Sequence, residues 1–181
     1  MDIEEQWSPL WEFPGYWISN HGVVRHTDRA FPLSTNINNT GTVYVSLWHN
    51  NKAYNRALAL LVASTFLDPP PLDTFNCPIN LNGVRRDCRA ENLMWRPTWF
   101  ARKYRQQFVN GKRGFKIPVM ILETGETFDN SWEAAIKYGL LDADILERTY
   151  NNEKVWPEDL TFRPLDMERF PSLRRTLYQP A

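Results

Sequence analysis

Histidine and cysteine are scarce in this chain, with three and two of them among 181 residues. Cys77 and Cys88 do not form a CxxC pair and have no histidine near them, so we expect free thiols rather than a zinc site. No run of 18 apolar residues occurs, which argues against a membrane-spanning helix. The acidic start MDIEEQW is unlike a signal peptide. We therefore expect a cytoplasmic protein with no membrane partner.

The net charge of zero conceals a strong segregation along the chain. Residues 1–84 carry a net −3 and residues 117–181 a net −5, whereas residues 85–116 hold ten basic against two acidic residues. A basic band with interleaved aromatics is typical of nucleic-acid contact. The alternative is a solvated helix face that pairs with the acidic flanks. The predicted phosphate contacts are Arg85, Arg86, Arg89, Arg96, Arg102, Lys103, Arg105, Lys112 and Arg113.

Alternating apolar residues, turn signals and helical periodicity predict a mixture of strands and helices. Within residues 77–95 we expect two short strands separated by an Asn82-Gly83 turn, then a helix that begins at 89–93. Ser131 is the expected cap of a later helix, and Gly139 its end. Other strands are expected at 16–19, 23–25, 42–48, 53–55, 116–122, 126–128 and 160–163, and other helices at 57–66, 97 or 98 to 109, 132–138 and 142–150.

Two segments of the sequence carry specific motifs. Residues 7–25 fit the pattern W-x(5)-F-x-x-Y-x-I-S-N-x-G-x-V-R, and residues 79–95 read INLNGVRRDCRAENLMW. The first is similar to a nuclease-associated modular motif that precedes many HNH cores, and the second resembles the core of phage-type HNH homing endonucleases. The resemblance implies an extended, modular α+β protein: a small β module with a ββα HNH-like core (1–96), a basic connector helix (97–114), and a helix-turn-helix module with a tail (115–181).

The core motif departs from the family pattern where the chemistry lies. Asn80 stands at the position of the catalytic histidine, Cys88 at the middle asparagine and Ile79 at a metal-ligand position, while Asn92 is retained. A second family histidine position holds Ala59. An HNH enzyme needs an imidazole to deprotonate water, and a carboxamide is not a base near neutral pH. The resemblance therefore places Asn80, Cys88 and Asn92 at catalytic positions and predicts that they are inactive.

No cofactor is expected, and Mg²⁺ only if nuclease activity is retained. Asp87 and Asn92 are then the oxygen donors. Each has a structural alternative, because Asp87 can pair with Arg85 or Arg89 and Asn92 can cap a strand or stabilise the helix. Every histidine of the sequence precedes this core: His21, His26 and His49.

The segment 126–150 resembles a second modular motif, a small helix-turn-helix. Its second helix opens with Asp142 and Asp144, and acidic side chains repel phosphates. Three functions stay open: binding of double-stranded DNA by a nuclease relative with an inactive site, a weak Mg²⁺-dependent nickase, and a protein-interaction subunit of a phage or nucleic-acid-processing assembly. In the third, the acidic C-terminal module is the contact surface. The residues behind the second resemblance are Phe128, Ala134, Ala135, Ile136, Gly139 and Ile145.

Overall fold

The computed structural model describes residues 4–166, which fold into two compact units divided between Ala101 and Arg102. Both units mix helix and strand, in agreement with the predicted α+β class. The three-part division at 96 and 114 stays a prediction, and the tail 167–181 lies outside the described residues. Within residues 4–166, no helix combines the length and apolar character needed to cross a membrane.

The first sheet of the first unit contains the predicted strands at 16–19 and 23–25. Strands β1 (Trp7–Pro9), β2 (Tyr16–Ser19) and β3 (Val24–His26) are antiparallel in the order β1-β2-β3. Tyr16 and Ile18 on the inner face are buried, because successive side chains of a strand point to opposite faces of the sheet. The outer face of this sheet stays exposed at several positions.

The second sheet is also antiparallel and joins the same core. Its strands are β4 (Thr35–Ile37), β5 (Val43–His49) and β6 (Lys52–Ala57), in that order. Asn50 and Asn51 form the turn between β5 and β6 with φ of 49° and 58°, a left-handed conformation that asparagine tolerates. Buried side chains from both sheets share one apolar cluster with helix α1, among them Phe13, Val24, Val43, Val45, Leu47, Val62 and Ala63.

Helix α1 (Leu58–Phe66) agrees with the predicted helix to within one residue. It ends before Asp68-Pro69-Pro70-Pro71, where the prolines lack the N–H that a continuing helix needs. Strands β7 (Cys77–Asn80) and β8 (Leu93–Arg96) then form an antiparallel pair, and helix α2 (Thr98–Asn110) follows.

The prediction that a helix begins at 89–93 is wrong. Ala90–Asn92 make only a single 3-10 turn, and the chain continues as β8, in which Met94 pairs with Ile79 of β7. Pairing with β7 outweighs local helix propensity here, as tertiary context often does. The helix that follows these two strands along the chain is α2, and residues 81–92 form a loop rather than a tight Asn82-Gly83 hairpin.

In the second unit, strands β9 (Val119–Ile121), β10 (Thr127–Phe128) and β11 (Phe162–Pro164) form a sheet in the order β10-β9-β11. Helices α3 (Ser131–Tyr138) and α4 (Asp142–Tyr150) match the predicted helices closely. Strand β9 is shorter than predicted. The core of this unit is made by Phe115, Ile117, Val119, Ile121, Ala134, Ala135, Leu140, Ile145, Val155, Leu160 and Phe162.

The caps of α3 show one error and one success of the prediction. Asn130, not Ser131, is the N-cap, and its side-chain oxygen accepts a hydrogen bond from the Glu133 N–H at 3.1 Å. Ser131 is instead fully buried. Gly139 ends the helix in the left-handed conformation, with φ of 58°, as predicted.

Candidate nucleic-acid interface

The positions of the HNH motif meet in the loop of residues 81–92, here named the amide loop, together with the ends of β7 and β8. Asn80 ends β7, and Asn92 comes directly before β8. Gly83 adopts φ of 74°, which glycine allows without strain, and the Asn82 side-chain oxygen accepts the Val84 N–H at 2.9 Å. The loop is therefore held by its own side chains.

Two amide side chains converge on one backbone carbonyl in this loop. The Nδ2 atoms of Asn80 and Asn92 donate to the Asp87 carbonyl oxygen at 2.9 and 2.8 Å. Asn92 also makes two hydrogen bonds of 3.0 Å with Asn82. The Asn92 side-chain oxygen accepts from the Asn82 backbone N–H, and the Asn92 Nδ2 donates to the Asn82 side-chain oxygen. Asn92 is only 7% exposed. The Asn92 side chain therefore holds the amide loop next to the start of β8 through its hydrogen bonds.

The Asp87 carboxylate is engaged by an arginine and an amide. Arg89 donates from Nε and Nη2 to the two Asp87 oxygens at 2.8 and 2.9 Å, a bidentate ion pair. Asn82 donates to the same carboxylate at 2.8 Å. The hydrogen bond from Arg89 lowers the pKa of Asp87. The structure thus shows the ion-pair alternative, with Arg89 rather than Arg85 as the partner.

The oxygen donors of this loop are engaged with protein groups. Magnesium prefers octahedral oxygen coordination and is usually held by one or two carboxylates, with waters and substrate phosphates as the other ligands. Both Asp87 oxygens and the Asn92 side-chain oxygen already accept hydrogen bonds, and Ile79 beside them is buried and apolar. Among residues 4–166, no group of three or more His, Cys, Asp or Glu side chains is placed to hold a metal ion.

Cys88, at the position of the middle asparagine, belongs to the apolar core. It is 3% exposed, and burial raises the pKa of its thiol to about 11. The turn at Gly22 lies beside it, and a Cβ atom built on Gly22 would be 3.4 Å from the Cys88 Cβ, an ordinary contact distance. A thiol so protonated is neither a nucleophile nor a base at neutral pH. Both cysteines are free thiols, as predicted.

The three histidines belong to the first unit and lie outside the amide loop. His21, exposed at the β2–β3 turn, borders a concavity together with residues 89–91 of the amide loop. His26 ends β3 with its Nδ1 3.7 Å from Asp28, and His49 ends β5. None is part of the amide loop, so the loop contains no imidazole.

Four of the predicted phosphate contacts lie in the first unit, and three of them bind protein groups. Arg85 donates to the Thr40 carbonyl and the Thr42 hydroxyl. Arg89 pairs with Asp87 and, at 2.8 Å, with Glu91. The other two differ in exposure: Arg86 is exposed, whereas Arg96 is 3% exposed and donates to the Trp95 carbonyl. Arg96 would have to leave this position to reach a phosphate.

The predicted contacts of the second unit are mostly exposed. Arg102 and Lys103 lie on α2, and Lys112 and Arg113 lie in the segment Gly111–Gly114, here named the basic loop. Arg105 is half-buried. These are long cationic side chains on a helix and on the loop that follows it.

Sequence reasoning missed the residue that holds the basic loop in place. Asp142 is 2% exposed, and its Oδ2 accepts the N–H groups of Arg113 and Gly114, both at 2.8 Å. Its Oδ1 accepts the Ser131 hydroxyl at 2.5 Å. A Cβ on Gly114 would lie 2.1 Å from Ser131 Oγ and 2.2 Å from Asp142 Oδ1. Asp142 was expected to repel phosphates, whereas it is buried beneath the loop that carries the cations.

Asp144, the other acidic residue expected to repel phosphates, is half-buried as well. Desolvation raises the pKa of its carboxyl group, while the charge of Lys103 opposes that rise. No pattern in the sequence distinguishes these two aspartates from solvent-exposed helix-start residues, because acidic side chains are common in the first turn of any helix.

Two comparisons with known proteins bear on the fold built from these elements. Residues 5–48 match the model of the NUMOD4 motif. Among solved structures, the chain is similar to the HNH homing endonuclease I-HmuI, from a study of its DNA binding and cleavage, with a TM-score of 0.51 and 17% identity over 88% of this chain and 97% of that one. This likeness shows the fold and confirms the resemblance predicted from the motifs. Among curated proteins, no significant match is found.

Proposed function

We propose that the protein binds double-stranded DNA as a relative of HNH homing endonucleases whose nuclease site is inactive. The observation that carries the proposal is the closed hydrogen-bond network of the amide loop. There, Asn80 and Asn92 both donate to the Asp87 carbonyl, and the Asp87 carboxylate is paired with Arg89.

Inactivity follows from the chemistry of these groups. Hydrolysis of a phosphodiester by this class of enzyme needs a base for the attacking water and a cation beside the phosphate. The Asn80 amide accepts no proton near pH 7, and the oxygens of Asp87 are already satisfied by Arg89 and Asn82. Removal of a general base alone costs on the order of 100- to 10,000-fold in rate.

Duplex contact is supported by the exposed cations of α2 and the basic loop. Arg102, Lys103, Lys112 and Arg113 are exposed on a helix and its following loop, and Asp142 holds the backbone of that loop. Side chains of this kind neutralise phosphates and release counterions. The solved structure with a similar fold is of a protein that binds and cleaves DNA.

A protein partner on the acidic C-terminal module has less support. Asp142 is buried and Asp144 half-buried, so neither is a free surface charge. Glu126 pairs with Lys137, and Glu153 pairs with Arg148. Much of the acidic charge of the described residues is thus used inside the second unit.

Gel-shift titrations with a duplex of about 30 base pairs over a series of salt concentrations test the binding. We expect the affinity to fall steeply as salt rises, and the double variant Lys112→Glu/Arg113→Glu to bind more weakly than the wild type. Lys154→Glu, an exposed lysine elsewhere in the second unit, is the matched control and should bind as the wild type does. Binding that is indifferent to salt would contradict the proposal.

Incubation with supercoiled plasmid and Mg²⁺ or Mn²⁺ tests the inactivity. We expect no strand scission above the buffer control. Scission that needs the divalent ion and disappears in Asn92→Ala would instead establish the nickase alternative, in which Asp87 and Asn92 hold the ion.

A further inference from the structure

The outer face of the first sheet carries two tryptophans and an arginine in register. Trp17 of β2 lies directly opposite Arg25 of β3, and Trp7 of β1 shares this face. The Arg25 guanidinium carbon lies 4.5 Å from the centre of the Trp7 ring. Trp17 is 40% exposed and Arg25 is exposed. An indole this exposed, beside a stacked guanidinium, is not explained by the core of the unit.

These side chains border a concavity of about 330 Å³. Its charge is positive, since two arginines line it and no acidic residue is among its lining residues within the described chain. Asp28, whose side chain is 87% exposed, lies beside it, 3.7 Å from His26. The main lining residues are Trp7, Trp17, Arg25, His26, Thr27 and Arg29.

The contact of Arg25 with Trp7 determines what the concavity can bind. A guanidinium whose carbon lies over an indole ring still has in-plane N–H groups that suit the oxygens of a phosphate. The Trp7 ring is already occupied by this cation, so the site is unsuited to an organic cation such as a methylated ammonium. An anion is the complementary ligand.

Trp17 adds an aromatic surface beside the anion site. A planar ring stacks on a nucleobase only when the base is out of a duplex, because paired bases are already stacked on their neighbours. A volume of this size is that of a small-ligand pocket. Phosphate and exposed base together describe a nucleotide of a single strand.

We propose that this concavity binds an unpaired nucleotide of a single-stranded nucleic acid, with the phosphate held by Arg25 and Arg29 and the base stacked on Trp17. The residues differ from those that carry the proposed duplex contact, so each proposal can fail without the other. The site would let the protein recognise a single-stranded stretch, such as a frayed or nicked end, in addition to a duplex.

Fluorescence anisotropy of a labelled oligothymidylate of about eight nucleotides, titrated with the full chain, tests the proposal. We expect salt-sensitive binding that weakens about tenfold in Trp17→Ala, in line with the loss of one base–aromatic stack. Trp17→Phe should keep most of the affinity, whereas Trp17→Leu, of similar apolar character but without a flat ring, should not. Arg29→Ala should weaken binding and its dependence on salt.

Trp11→Ala is the matched control. Trp11 is 87% exposed in the same module but does not line the concavity, so its removal should leave the affinity unchanged. Circular dichroism of each variant establishes that the unit is folded. The proposal is overturned if the oligothymidylate does not bind, if Trp17→Leu binds as tightly as Trp17→Phe, or if Trp11→Ala is as damaging as Trp17→Ala.

Discussion

The amide loop and the basic loop each contain cationic side chains next to an aspartate carboxylate, but the cations are paired in the first loop and exposed in the second. In the amide loop, the Asp87 carboxylate accepts hydrogen bonds from the side chains of Arg89 and Asn82, so the cation is used internally. In the basic loop, the Asp142 carboxylate accepts from the backbone of Arg113 and Gly114, and the side chains of that loop remain exposed. Whether a carboxylate binds main chain or side chain thus decides whether neighbouring cations are available to a ligand.

The largest expected effect on stability is that of a substitution at Asp142. Asp142→Ala leaves two part-buried backbone N–H groups, those of Arg113 and Gly114, without their acceptor, at a cost of about 1–3 kcal/mol for each unsatisfied group. The Ser131 hydroxyl loses its bond to Asp142 but retains the Phe115 carbonyl as an acceptor at 3.3 Å. We expect the free energy of unfolding of the second unit to fall by about 3 kcal/mol or more, as measured by urea denaturation. Glu147→Ala, an exposed change on the same helix, should alter it by less than about 0.5 kcal/mol.

Gly114 provides an independent test of the same contact. The collision of a Cβ with Ser131 and Asp142 predicts that Gly114→Ala destabilises the unit by about 1–3 kcal/mol, since overpacking forces buried atoms apart. Gly111→Ala meets no atom within 4 Å and is the matched control, although its φ of 77° adds strain of about 1 kcal/mol. Equal stability of the two variants in urea would contradict the structural account of the basic loop.

In the amide loop, the corresponding test is Asn92→Ala. This change removes a side-chain amide that makes three hydrogen bonds, two with Asn82 and one with Asp87, at a residue that is 7% exposed. We expect a loss of about 2 kcal/mol in the free energy of unfolding of the first unit. Asn36→Ala, on an exposed strand, should be nearly neutral. A neutral Asn92→Ala would mean that the network is not needed to hold the loop.

The two loops should also differ in how their cations affect DNA affinity. Removal of Lys112 or Arg113 should lower the slope of log affinity against log salt by about 0.9 for each lost phosphate contact. Arg89→Ala removes a cation that is paired with Asp87 and Glu91, so we expect a smaller change in this slope. Salt titrations of the variants in parallel measure these slopes. Equal slopes for Arg89→Ala and Arg113→Ala would contradict the expected difference between the two loops.

Much of the fold could be predicted from periodicity and turn chemistry. Helices α1, α3 and α4 and strand β5 agree closely with the prediction, because apolar spacing and Gly139 are local signals. The extended β8 strand was missed, because its pairing with β7 is a contact between chain segments that no local pattern encodes.

Less of the candidate site could be predicted, and the reason is again physical. The motif placed Asn80, Asp87 and Asn92 near one another, but it could not tell which groups accept hydrogen bonds from which donors. The role of Asp142 depends on Gly114 and Ser131, which are 28 and 11 residues away along the chain. Because Asp142 is buried, it holds the loop that carries the cations instead of repelling a phosphate, and the sequence pattern does not indicate this.

The smallest expected effect concerns the pH dependence of the Asp87–Arg89 pair. The hydrogen bond from Arg89 lowers the pKa of Asp87 in the folded state, so the pair stabilises the fold at pH values above the ordinary range of an aspartate, near 3.9. That stabilisation is lost as the pH falls through the lowered pKa, because both states are then protonated. Arg89→Met should therefore cost less than about 1 kcal/mol at pH 7, given that the arginine side chain is 48% exposed, and nothing at the acid end. Urea denaturation of both proteins at pH values from 7 downward measures the difference, and a gap that grows on acidification would show that Arg89 acts through something other than its ion pair with Asp87.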